Sequence, residues 1–145
     1  MPRPDPRPLG HPRTRSAGQI FGHIIARERA HVRSFVQGIN DDIPESFKVV
    51  FHSLTFSDPT EDEVLRAVGS KEHLIAYWRK VRGQTHEYLD SIDDGDLKGV
   101  PRKTLLPDND PNRDNPIREW FVMTIKHQNM AWGEIHMIRR ILESN

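Results

Sequence analysis

The chain has no cysteine, which excludes a disulfide framework, a thiolate metal site and a cysteine nucleophile. It has no excess of charge of either sign, since 21 Lys and Arg stand against 21 Asp and Glu. Dedicated binders of nucleic acid or of anionic membrane surfaces carry a basic excess, so neither partner is expected. No apolar run approaches the ~20 residues that cross a bilayer, and no charged-then-apolar leader opens the sequence. The expected compartment is the cytosol. A glycine-rich phosphate loop, a Gly-x-Ser-x-Gly elbow and an HExxH helix are missing as well, so Ser/His/Asp catalysis has no support.

What remains is a chain of 145 residues, 35% hydrophobic, with eight histidines. That length suits one domain, which can bury about 70% of its unfolded surface. Residues 1–15 hold five prolines and four arginines; proline at this density removes donors and blocks helix, so an extended, loosely held segment is expected. The domain proper spans 16–145. Ser16 caps a first helix to about Gln37, stopped by Gly38, with Ile20, Phe21, Ile24, Ile25, Val32, Phe35 and Val36 on one stripe. Pro44 opens a short element, helix or strand, through Leu54, and Thr60 with Glu63 forms a capping box for a brief helix to Val68. Ser70 caps a long helix to about Ile92. Asp93–Asn115 reads as a turn-rich connection, and Asn115 with Pro116 at the first helical position launches a last helix to about Leu142. Every long segment has the 3.6-residue period. The expected class is all-α, a bundle.

The chemistry available is imidazole and carboxylate. On the last helix His127 and Glu134 lie ~20° apart on the wheel, at the edge of the apolar stripe. A histidine and a carboxylate projecting from a bundle helix can build a divalent-metal site; a buried histidine bonded to a neighbouring helix, with Glu134 in a salt bridge, explains the spacing equally. The first helix offers His23, Glu28 and His31. Glu28 falls near the centre of its stripe, where a charge is costly unless paired or hydrogen-bonded; a structural salt bridge to an arginine and a catalytic role explain it about equally. His23 faces either solvent or a cavity lined by small side chains.

The stretch Ser16-Ala-Gly-Gln-Ile-Phe-Gly-His23-Ile-Ile-Ala-Arg-Glu28-Arg resembles the second-helix signature of the DinB-like superfamily, S-x(6)-H-x(4)-E-R. Ser70–Leu89 resembles its third helix. Pro116-Ile-Arg-Glu-Trp, then His127-Gln-Asn-Met-Ala131-Trp-Gly133-Glu134-Ile, ending at Arg139, resembles the fourth. The resemblance implies an up-and-down four-helix bundle, here lacking or shortening the first helix. It also implies a divalent metal, zinc or nickel, held by one second-helix histidine and an H-x(3)-H pair on the fourth. His23 and His127 match two of those ligands. Ala131 stands at the third, and Glu134, one turn further, is the residue left to complete a His23–His127–Glu134 site.

Two functions follow from that resemblance. One is a metal-dependent enzyme acting on a small-molecule substrate, of the hydrolase or thiol-dependent S-transferase type. The other is a metal-free binding or interaction module, with a pocket bounded by Trp120, Trp132 and the long connection. A homodimer is expected under both, its partner covering the face that a first helix would cover.

Overall fold

The computed structural model describes residues 17–39 and 70–144. The expected N-terminal segment, the Ser16 cap and the elements proposed between Pro44 and Val68 lie outside the described residues.

Helix α1 spans Ala17–Arg29 and continues as a π-helical stretch over Ala30–Val36. The wider register shows in Gln37, whose N–H reaches back five residues to the Val32 carbonyl at 3.1 Å. Gly38 ends the helix as expected, and for a firm reason. Its φ is +66°, and a Cβ there would lie 2.8 Å from the Lys103 Cβ, so the site requires both left-handed backbone and the absence of a side chain.

Helix α2 covers Lys71–Ser91, with the Ser70 hydroxyl accepting from the His73 N–H at 3.2 Å as an N-cap. Asp93–Asn115 holds more structure than its turn residues suggested. Asp93 and Asp96 form a reciprocal capping box around a short helix α3, Asp94–Lys98, and Pro111–Asp114 is a 3₁₀ turn. Helix α4 runs Ile117–Glu143. Its N-cap is Pro116, one residue later than expected, because Asn115 closes the 3₁₀ turn instead, its N–H bonded to the Asn112 carbonyl at 3.1 Å. Pro116 has no capping side chain; the Ile117 N–H is taken by the Gly99 carbonyl at 2.9 Å, so the loop does the capping.

Among the described residues the structure is all-helical. Helix α1 packs against both α2 and α4. Near its start Ile25, with Phe21, meets Leu74, Tyr77, Val81 and Trp78 of α2, while Ile20 and Ile24 meet Ala131, Ile135 and Ile138 late in α4. Near its end Val36 and Phe35 meet Trp120 and Ile117 early in α4, with Tyr88 and Ile92 late in α2 and Leu106 of the connection. Helices α1 and α2 therefore run parallel, and α4 runs against both. The connection is strapped to the end of α1 by the Leu105 N–H, 3.1 Å from the Ser34 carbonyl. Leu142 on α4 and Leu89 on α2 are left exposed, at 71% and 37%.

Candidate functional site

The crossing of α1 and α4 gathers three histidines. The His127 ring, on α4, lies 6.2 Å between centroids from His23 and 5.9 Å from His31, both on α1. His31 also packs on Trp120 at 5.4 Å. It is buried, whereas His23 and His127 are half-buried, so His31 forms the floor of the cluster and the other two its mouth. The π-helical stretch begins one residue before His31. Such widened turns re-aim side chains and recur at functional sites.

Hydrogen bonds hold the floor in place. Thr124 Oγ1 lies 2.8 Å from His31 Nδ1, and the same hydroxyl donates to the Trp120 carbonyl at 2.9 Å. Beside the cluster Glu28, only 1% exposed, receives Arg82 at 3.0 Å and the Gln128 side-chain amide at 2.9 Å, both on Oε2. The arginine partner that its place on the apolar stripe demanded is therefore Arg82, which reaches from α2 and lies over the Trp78 ring. Glu28 Oε1 and Trp120 Nε1 are buried without a hydrogen-bond partner among the described residues.

Burial and a nearby cation keep two of the three imidazoles uncharged. Burial, reinforced by the Arg27 guanidinium and by His127 and His23, lowers the His31 pKa to about 4. Burial and then Arg27 lower that of His127. At neutral pH these two rings are therefore uncharged, each with one N–H and one lone pair.

Of the three residues expected to form a metal site, His23 and His127 are brought together. Glu134 is exposed and does not join them. Ala131 is buried with Ile20 and Ile24. Of the two tryptophans expected to bound a pocket with the long connection, Trp120 is buried and Trp132 is 57% exposed, its ring tilted against His136 at 5.9 Å. His31, which the first helix also offered, is the residue that the expected site left out. Eight positions after His23 it lies ~80° away on an ideal wheel, too far to suggest a shared site, and the usable signal was Thr124, one turn before His127.

A family model described as the DinB superfamily matches residues 3–135. The chain belongs to the DinB superfamily. No curated protein and no solved structure matches it. The all-helical fold is that of a DinB-like bundle, and the His23 and His127 positions of the resemblance do converge in it. The donors for a resident metal do not complete themselves. Among the described residues no three His, Cys, Asp or Glu side chains are arranged to hold a metal ion, and the Arg27 guanidinium sits close enough to bias both His31 and His127 against added positive charge. This donor set does not fit the divalent metal implied by the resemblance.

Proposed function

We propose that this DinB-superfamily chain is a metal-free binding module, with the neutral imidazole cluster between α1 and α4 as its small-ligand site. The observation that carries the reading is the state of the donors beyond His23 and His127. Ala131 packs into an apolar cluster and Glu134 faces solvent, so neither position that the resemblance left to complete the site brings a donor to His23 and His127, whereas catalytic zinc sites ordinarily have three protein ligands. A half-open pair of rings over a buried, uncharged third suits a small molecule better than a dication next to Arg27.

The test is elemental analysis of untagged protein, never exposed to chelator, followed by calorimetric titration with zinc and nickel. The unaltered protein should carry no stoichiometric metal and show no tight binding. Ala131→His should bind at least about ten-fold more tightly, because it restores two imidazoles at i, i+4 on one helix face. Stoichiometric metal in the unaltered protein would overturn the reading.

One observation favours the second reading, a metal-dependent hydrolase or thiol-dependent transferase. Three imidazoles do gather at the crossing, and neutral rings are the form that binds metal. That reading requires His31→Ala to abolish metal uptake, which the metal-free reading does not.

A further inference from the structure

We infer that Thr124 is a positioning residue, which holds His31 as the Nδ1–H tautomer so that Nε2 presents its lone pair as the proton acceptor of the site. The inference rests on the site of the proposed function, but its test reads the histidine ring itself.

A threonine hydroxyl has one proton to give and two lone pairs to offer. The Thr124 proton goes to the Trp120 carbonyl, at 2.9 Å. The remaining contact of the hydroxyl, 2.8 Å to His31 Nδ1, is then one in which Thr124 accepts, and the proton must be on Nδ1. A neutral imidazole has only one N–H, so Nε2 carries the lone pair. The opposite tautomer would put an N–H at Nε2. It would also leave Nδ1 and the Thr124 hydroxyl facing each other lone pair to lone pair, since the hydroxyl proton is engaged at the Trp120 carbonyl.

The geometry supports the same choice. His31 is buried between Trp120, Phe35 and His127, with ring centroids at 5.4, 6.3 and 5.9 Å, so the ring has little freedom to flip away from Thr124. Thr124 is buried too, and lies on α4, the helix that carries His127. One α4 hydroxyl thus orients an α1 ring at the floor of the cluster. An acceptor at that floor pairs with ligands that carry an O–H or N–H group.

The experiment is a two-bond ¹⁵N–¹H correlation spectrum of histidine-labelled protein at neutral pH, in chelator-treated buffer. In the unaltered protein His31 should show the protonated nitrogen at Nδ1 and the lone-pair nitrogen at Nε2. Thr124→Ser should keep that signature, and Thr124→Val should invert it in most molecules. A wild-type spectrum with the proton on Nε2 overturns the inference without any variant, so the test survives a valine variant that fails to fold. An unchanged signature in folded Thr124→Val overturns the positioning role. Metal content leaves these outcomes untouched, so failure of the metal-free reading and failure of this inference remain distinguishable.

Discussion

Arg82 and Glu28 share one ion pair but not one environment. The carboxylate side chain is 1% exposed and the guanidinium side chain 35%. Removing the arginine strands a buried charge, with one oxygen already lacking a partner. Removing the carboxylate leaves a cation that can turn to water. Arg82→Met should therefore destabilise the fold by about 3 kcal/mol, and Glu28→Gln, which keeps the shape and the Gln128 contact, by about 1–2 kcal/mol. Urea denaturation of both variants checks the order. His31 adds a dependence on pH. Its pKa falls from 6.5 to about 4 in the folded chain, through burial first and then Arg27 of α1, His127 of α4 and His23 of α1. Between those values the unfolded chain binds a proton that the folded chain refuses, so stability falls as pH drops from about 6.5 to about 4 and levels off below. The loss is roughly 3 kcal/mol. Denaturation midpoints at pH 7, 5.5 and 4.5 should show it, and His31→Gln should flatten the profile over that range.

At the scale of elements, most of the helical plan was legible, because caps and periods are local. Ser70 announced α2, and Gly38 announced the end of α1, where +66° of φ and the nearness of Lys103 leave room only for glycine. Gly38→Ala should cost more than about 1 kcal/mol and lower the thermal midpoint by several degrees; an unchanged midpoint would mean that the loop at Lys103 gives way. What was not legible had a tertiary cause. Helix α3 was hidden in a segment rich in turn formers, although its Asp93 and Asp96 capping pair was a local signal that could have been read. The start of α4 moved by one residue because a distant carbonyl, that of Gly99, takes the first N–H. The π-helical turn before His31 has no sequence signature, and it accompanies the change that put a third histidine at the site.

At the scale of the molecule, α4 shows an apolar surface that α1 does not cover. Met130, Met137 and Ile141 are 66%, 64% and 55% exposed and share one flank of the helix. Exposed stripes of this kind are ordinarily covered by a partner. The proposed homodimer predicts a light-scattering mass near twice the 16.8 kDa of one chain, and Met137→Glu with Ile141→Glu should return the monomer with an unchanged circular dichroism spectrum. A monomer at micromolar concentration in the unaltered protein would refute it. No helix among the described residues is long and apolar enough to cross a membrane. The sequence alone determined the helical class and the end of α1, because caps and periods are local, and its resemblance to the DinB-like bundle implied that His23 and His127 come together. Only the tertiary structure decided which faces meet. The crossing of α1 and α4 brought His31 into the cluster, left Glu134 in solvent and gave Glu28 its arginine, since contacts between elements 50 to 100 residues apart arise from packing, which no local period encodes.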